Sequence, residues 1–145
     1  MKNSTRAAGY GAMLTMLLLS GGVATAGAAA TLPLQSSSEI PAAEGKVRLH
    51  STKNGNVEIK LSVKHLAPPG RIVAGSNVFV VWTRGLAPGA EAQNLGALKV
   101  DKNLSGRLTA VTAMSSFDLF LTCEQSQTVT FPAGPELLPL HYQRN

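Results

Sequence analysis

The sequence predicts an all-β protein, an immunoglobulin-like antiparallel β-sandwich of about seven strands that follows an N-terminal signal helix. Apolar and polar residues alternate with period two through most of the chain beyond residue 43, which is typical of half-buried strands. No stretch beyond residue 35 carries a sustained helical stripe. Turn residues separate the alternating segments every ~8–12 residues, as they do in two-sheet sandwiches. A small barrel of strands is the alternative fold.

Residues 1–30 are predicted to be a secretory signal peptide. Lys2 and Arg6 give it a positive start, an apolar run covers residues 13–19, and small residues dominate the sequence that follows. Three triplets have the small side chains that signal peptidase needs: Ala24-Thr25-Ala26, Ala26-Gly27-Ala28 and Ala28-Ala29-Ala30. We therefore expect a periplasmic or extracellular bacterial protein.

A retained inner-membrane anchor is the alternative interpretation of this leader. Residues 13–34 carry no charge and just reach the ~20 residues that a membrane-spanning helix needs. Cleavage is favoured because the second half is weakly apolar and Gly21-Gly22 lowers its helix propensity. Contact with a membrane is expected only through residues 13–34, and only if they are not removed.

Composition argues against a nucleic-acid partner. The chain has 13 Lys and Arg against 8 Asp and Glu, a net charge of +5, and loss of the two leader cations lowers it to +3. The basic residues are spread along the sequence, and only 4 Phe, 2 Tyr and 1 Trp are available to stack on bases. The single cysteine, Cys123, cannot form an internal disulfide.

A single β domain is predicted over residues 44–145, after a tether over residues 31–43. The tether contains two prolines and a run of three serines, with little periodicity. Seven strands are predicted in the domain: 45–51, 56–65, 77–83, 95–101, 106–112, 117–124 and 137–142.

The first two strands are predicted to form a hairpin around Asn54-Gly55. A two-residue loop would pair Leu49 with Lys60 and mix apolar and charged residues on one face. A three-residue loop pairs Leu49 with Ile59 instead, and it places the glycine at the left-handed position that such loops require. We expect the three-residue loop.

The third strand is apolar on both faces, so we expect it at the centre of the fold, with Trp82 in the core between the sheets. In the next hairpin, pairing Val100 with Leu108 aligns the apolar faces and brings Asp101 opposite Arg107 at the turn. That exposed ion pair is expected to contribute little, ~0–1 kcal/mol.

The sixth strand carries an apolar row with period two, which is expected to face inward: Phe117, Leu119, Leu121 and Cys123. Cys123 is then a buried and unreactive thiol. Pro139 interrupts the last strand, and it predicts an edge position because proline cannot donate a ladder hydrogen bond.

No catalytic, cofactor-binding or metal-binding residue is predicted, and we expect the protein not to be an enzyme. A metal site needs several converging ligands, whereas His50 and His65 are expected on opposite faces and His141 lies alone. A blue-copper site is excluded because no Met follows Cys123. The sequence has no Gly-x-Ser-x-Gly motif, and its acids are too scattered for a carboxylate pair.

Two longer loops, residues 67–76 and 84–94, are the predicted place for function, since loops carry most binding residues. The polar side chains available there for binding are Arg71, Arg84, Gln93 and Asn94. The alternative for each of them is a solvated loop residue without a binding role.

Three features occur in order between residues 78 and 124: an aromatic strand that ends at Trp82, a strand with Leu95-Gly96, and a later strand that ends at Glu124. This arrangement resembles the extracytoplasmic domain of the anti-sigma-K factor family. The resemblance implies a β domain without catalytic residues. It does not imply sigma-factor inhibition, because too few residues precede the apolar run to form the family's sigma-binding domain.

These features together predict an exported, non-catalytic module for extracytoplasmic sensing or protein binding, with another envelope protein as its partner. The alternative is a structural envelope or fimbria-like subunit that assembles by strand exchange, with residues 31–34 as a short donor strand. A hydrolase would need a polar pocket that brings His141 to a serine or to Cys123.

Overall fold

The computed structural model describes residues 29–145 and confirms the all-β class. Within these residues the elements are β1 (Ala30–Pro33), β2 (Glu44–Ser51), β3 (Val57–Lys64), α1 (Pro69–Ile72), β4 (Val78–Gly85), β5 (Ala92–Val100), β6 (Gly106–Thr112), β7 (Phe117–Glu124) and β8 (Leu137–Tyr142). All seven predicted strands are present, with bounds within a few residues of those predicted. The predicted signal helix lies outside the described residues.

The eight strands form one continuous antiparallel sheet, in the order β1-β2-β3-β6-β5-β4-β7-β8. β5 joins its two halves, because residues 92–98 pair with β4 and residues 99–100 pair with β6. The register with β4 shifts by one residue at Leu95, opposite the step from Val81 to Trp82, and a bulge of this kind bends its strand. The sheet therefore curls, and inward side chains from both halves share one core.

Strict alternation along the strands builds this core. Every second residue of β2 and β3 is buried, as in the pair Val47 and Leu61, which lie opposite each other. The predicted inward row of β7 belongs to the same core, from Phe117 to Cys123. β8 lies at the end of the sheet, as Pro139 predicted.

The predicted register is confirmed in one hairpin and wrong in the other. Leu49 lies opposite Ile59, as expected for the three-residue loop. In the second hairpin Val100 lies opposite Gly106, two residues away from the predicted Leu108. The reason is the turn, in which the Asp101 carboxylate accepts hydrogen bonds from two backbone N–H groups, at 2.8 and 3.1 Å, and closes a shorter loop than the apolar pattern alone requires. The expected Asp101–Arg107 pairing at this turn is therefore also wrong.

The segment predicted as a tether belongs in part to the folded unit. β1 pairs with β2, and the following Leu34 is buried against Gly45. An added Cβ at Gly45 would lie 3.0 Å from the Cβ and Cγ of Leu34, so the glycine makes room for this side chain. Ile40 and Ala43 are buried as well. Periodicity does not reveal this segment, because it contacts the core through only a few side chains.

Trp82 is fully buried, but the predicted position between two sheet layers is wrong. Its side chain lies on the opposite face of β4 from Phe79 and Val81, in a second, smaller apolar cluster with Val80 and Phe120. Because β4 is apolar on both faces, sequence alone does not say which face the tryptophan takes. In residues 29–145 no helix is long and apolar enough to cross a membrane.

Candidate binding groove beside Phe131

The outer apolar cluster is covered by a loop between β7 and β8, residues 125–136, which we call the cover loop. Val129 of this loop packs on the cluster of Val80, Trp82 and Phe120. A sheet face that carries a fully buried tryptophan needs such a cover, because an exposed indole would lose the free energy gained by burial. The cover loop therefore extends the core to the outer side of the sheet.

A chain of buried hydrogen bonds connects the cluster to the cover loop. Trp82 Nε1 donates to Thr122 Oγ1 at 2.8 Å, and the same hydroxyl donates to Glu124 Oε1 at 2.6 Å. The Glu124 carboxylate in turn accepts from the backbone N–H of Ala133 at 3.0 Å. Glu124 is buried, and these bonds supply partners that a buried carboxylate requires.

Asn94 on β5 holds the first half of the same loop. Its Nδ2 donates to the carbonyl oxygens of Gln127 and Val129, at 3.0 and 2.8 Å. Its Oδ1 accepts from the backbone N–H of Gly96 at 2.8 Å, which fixes the orientation of the amide. This residue, predicted to be a binding residue on a loop, is a strand residue whose side chain supports a loop.

A groove of about 470 Å³ lies between the cover loop and the segment after α1, and we call it the Phe131 groove. Its lining is Val73, Ala74, Ser76, Cys123, Glu124, Gln125, Thr128, Val129, Thr130, Phe131, Ala133 and Gly134. The Phe131 residue on its rim is 71% exposed, more than any other large apolar residue of the described chain. Exposed aromatic side chains beside a cleft are typical of contact surfaces.

Cys123 contributes to the floor of the groove, but its thiol is poorly suited to chemistry. The residue is 3% exposed and packs in the main core. Burial, followed by the negative charge of Glu124, raises the pKa of the Cys123 thiol to about 11. Since the thiolate is the nucleophile, a raised pKa keeps this cysteine in its unreactive form near neutral pH.

A second cavity, about 490 Å³, lies near the turn between β5 and β6. Pro68, Pro69 and Leu104 contribute to its lining, and Leu104 is partly exposed. Its rim carries no exposed aromatic residue. We therefore regard the Phe131 groove as the better candidate for a binding site.

Charged residues form a separate cluster on the outer face of β4, β7 and β8. Arg84 makes two hydrogen bonds to Glu136, at 2.6 and 3.3 Å, and its guanidinium carbon lies 4.8 Å from the centre of the Phe120 ring. The hydrogen bond to Glu136 raises the pKa of Arg84 above its usual value. His141 Nδ1 lies 2.7 Å from Asp118 Oδ1. These contacts pair each charge with a partner from the same chain.

This charged cluster does not bring the residues of a hydrolase together. His141 is paired with Asp118 on the outer face of the sheet, whereas Cys123 faces the core near the other end of β7. Among residues 29–145 no group of three or more His, Cys, Asp or Glu side chains could hold a metal ion. His65, expected to point inward, is exposed and has a φ of 56°, because β3 ends at Lys64.

The four residues predicted for binding do not form one site. Arg71 is exposed on α1, Arg84 is paired with Glu136, and Asn94 holds the cover loop. Gln93 is exposed on β5 and accepts a hydrogen bond of 3.4 Å from Thr112 Oγ1. The loop predicted over residues 84–94 is shorter than expected, because β4 continues to Gly85 and β5 begins at Ala92.

Sequence reasoning missed the cover loop and Phe131. The available signal was a lone phenylalanine in a stretch rich in Ser, Thr, Gly and Pro, between two strands that were correctly predicted. An apolar residue in such a loop indicates either an anchor to the core or a contact surface. A comparison with models of known protein families gives no match, and a comparison with curated proteins gives no significant match.

Proposed function

We propose that the chain is an exported, non-catalytic module that binds another protein of the bacterial envelope through the Phe131 groove. The observation that carries the proposal is the exposure of Phe131 on the rim of an apolar groove. Aromatic side chains dominate the binding energy of protein interfaces, particularly when they insert beside a preformed pocket. The Phe131 side chain is 71% exposed, so most of its surface is free to make such a contact.

The non-catalytic part of the proposal is supported by the surroundings of the reactive side chains. The Cys123 thiol is buried with a raised pKa of about 11, and His141 is paired with Asp118 at a distance from it. A nucleophile needs a base within hydrogen-bond reach, and these two residues lie on different faces of the sheet.

The extracytoplasmic part rests on the leader pattern of residues 1–30 and on the resemblance to the ectodomain of the anti-sigma-K factor family. In this proposal the two halves of the curled sheet are the layers of an immunoglobulin-like sandwich, with β5 as the strand that passes from one to the other. The contribution of inward residues from both halves to one core supports that description.

Photo-crosslinking at position 131 tests the proposal. The full chain is expressed in its bacterial host with a photoreactive phenylalanine analogue in place of Phe131, and in a control at Val111, which is also exposed but lies on β6. We expect one discrete adduct with an envelope protein from position 131 and none from position 111. Equal, diffuse crosslinking from both positions would contradict the proposal.

The variant Phe131→Ser provides an independent measurement once the adduct is identified. We expect it to weaken binding of the identified protein by ~30-fold or more, since removal of an aromatic hot spot costs ~2 kcal/mol or more. Val111→Ser removes a similarly exposed apolar side chain at another place and should leave the affinity unchanged.

A subunit that assembles by strand exchange is the second candidate. It is favoured by the position of β1, a four-residue edge strand on β2 at the end of the sheet, with Leu34 set against Gly45. A disulfide between Thr31→Cys and Arg48→Cys, which are opposite each other, would hold β1 on its own chain. Loss of oligomers on oxidation would support strand exchange, and unchanged oligomers or a monomer under both conditions would contradict it.

A further inference from the structure

The fold gathers basic residues that are far apart in the sequence onto one face of the sheet. This basic face consists of six exposed side chains that point outward from β2, β3, β5 and β6: Lys46, Arg48, Lys60, Lys64, Lys99 and Arg107. The antiparallel register sets them in rows across the strands. In one row Lys46 lies opposite Ser62, which lies opposite Arg107, which lies opposite Lys99. In the next row Arg48 lies opposite Lys60.

Little negative charge lies within these rows. Two acids share the face, and both lie at its ends: Glu44 opposite Lys64, and Glu58 in the row of His50. Glu58 forms the only ion pair of this face in the described part of the chain, to Lys60 at 3.3 Å. Asp101 lies at the adjoining turn, where its carboxylate bonds to backbone N–H groups. Six cations and two acids give the face a net charge of about +4, compared with +3 for the whole chain without its two leader cations.

The dimensions of the face suit a flat partner. Neighbouring strands lie ~4.8 Å apart and alternate residues along a strand ~7 Å apart, so the six cations spread over four strands of a broad surface. No aromatic residue lies in these rows, which removes the stacking contacts on which single-stranded nucleic-acid binding depends. Lys and Arg can instead extend their aliphatic stems and place their charges against phosphate groups.

The position of the N-terminal end of the described chain indicates which partner binds the basic face. Ala29, directly before β1, lines a shallow cavity of about 420 Å³ together with Arg48, His50, Glu58 and Lys60. The sequence that precedes it is uncharged from residue 7 onward and contains the apolar run 13–19. While this segment is attached, it joins the domain at Ala29 beside the basic face, so a membrane that the segment reaches is also next to these cations.

We propose that the basic face binds the surface of an anionic phospholipid membrane, with Lys and Arg against the lipid phosphates. Each Lys or Arg close to such a surface increases binding about fivefold, and the effect falls off within a Debye length, ~8 Å at physiological salt. The Phe131 groove belongs to the other half of the sheet and remains available for protein binding. The membrane proposal does not depend on the proposed protein partner.

Vesicle sedimentation with the full chain tests the proposal. The measured quantity is a ratio: partitioning into vesicles that contain phosphatidylglycerol, divided by partitioning into phosphatidylcholine vesicles. The apolar N-terminal sequence contributes to both values, so its contribution cancels in the ratio. We expect a ratio well above one that falls as salt is added. The face variant Arg48→Gln/Arg107→Gln should lower the ratio about 25-fold, because two cations are lost at about fivefold each. The control Arg71→Gln/Arg144→Gln removes the same charge elsewhere and should leave the ratio within about twofold.

Three results would overturn the proposal. The first is an equal fall of the partitioning ratio in the face variant and in the control variant, which would show a general effect of net charge. The second is an unchanged ratio in the face variant. The third is tighter binding to duplex DNA or to dextran sulfate than to the anionic vesicles at equal charge concentration, which would identify a different polyanion as the partner.

Discussion

At the scale of single residues, alternation along β7 gives neighbouring side chains different environments. Cys123 points into the main core, and Glu124 points to the outer face beneath the cover loop. The expected burial of Cys123 is therefore confirmed. The buried position of Glu124 and its hydrogen bonds to Thr122 and Ala133 could not be predicted from the sequence. The carboxylate, together with Thr122 and Trp82, forms a polar connection that sequence patterns do not encode.

We predict that Cys123 in the folded chain does not react with a maleimide near pH 8. Its pKa is raised to about 11, so the thiol keeps its proton where an unfolded cysteine, at 9.0, begins to lose it. Ionisation therefore favours the unfolded state as the pH rises above about 9, and stability should fall there. A Val111→Cys variant provides an exposed control that should label rapidly. Labelling of Cys123 at the rate of that control would contradict the prediction.

Replacement of Thr122 by valine should destabilise the chain. The change leaves the buried Trp82 N–H without an acceptor and removes one donor from Glu124, at a cost of ~1–3 kcal/mol. Urea unfolding followed by the fluorescence of the single tryptophan measures the effect. The control Thr109→Val lies on an exposed position of β6 and should change stability by less than ~0.5 kcal/mol. Equal unfolding midpoints for the two variants would disprove the structural role of Thr122.

At the scale of elements, the cover loop depends on side chains from the sheet beneath it. Asn94→Ala removes two hydrogen bonds to the loop carbonyls of Gln127 and Val129. We expect acrylamide to quench Trp82 more strongly in this variant, with its emission shifted to longer wavelength. The control Gln93→Ala changes the preceding residue, which has no hydrogen bond to the loop, and should leave quenching unchanged. Identical quenching in both variants would contradict the proposed anchoring.

The attachment of β1 makes a second prediction at this scale. In Gly45→Ala the new Cβ would overlap Leu34, so we expect a loss of ~1–3 kcal/mol in the free energy of unfolding. Gly85→Ala is the matched control, because its new Cβ would make an ordinary contact of 3.5 Å with Ala90. Denaturant unfolding of both variants measures the difference in stability. Similar unfolding midpoints for the two variants would show that Leu34 is not packed against Gly45.

The strands could be predicted because burial of one face imposes a period of two on the sequence. β1 could not be predicted, since four residues with one partly buried side chain carry almost no pattern. The predicted register of the hairpin between β5 and β6 was wrong because the Asp101 side chain, rather than the apolar faces, determines the turn. Trp82 was assigned to the wrong face because β4 is apolar on both.

At the scale of the whole molecule, the curled sheet separates two surfaces with different properties. The half that contains β2, β3 and β6 presents the basic face, and the half that contains β4 and β7 carries the cover loop and the Phe131 groove. Neither surface was predictable from the sequence. The cations look scattered until the register aligns them, and Phe131 becomes distinctive only when its exposure is known.

The proposed function requires that the domain is located outside the cytoplasm, and the start of β1 bears on where the leader would be cleaved. β1 begins at Ala30, opposite Leu49, so a cut after Ala30 would remove the first residue of the strand. Cuts after Ala26 or after Ala28, at the triplets Ala24-Thr25-Ala26 and Ala26-Gly27-Ala28, both leave the strand intact.

The most direct test is the intact mass of the protein recovered from each cell fraction after expression of the full chain in a bacterium. We predict a periplasmic protein whose first residue is Gly27 or Ala29. A full-length chain that begins at Met1 and remains in the cytoplasmic fraction would contradict the extracytoplasmic function.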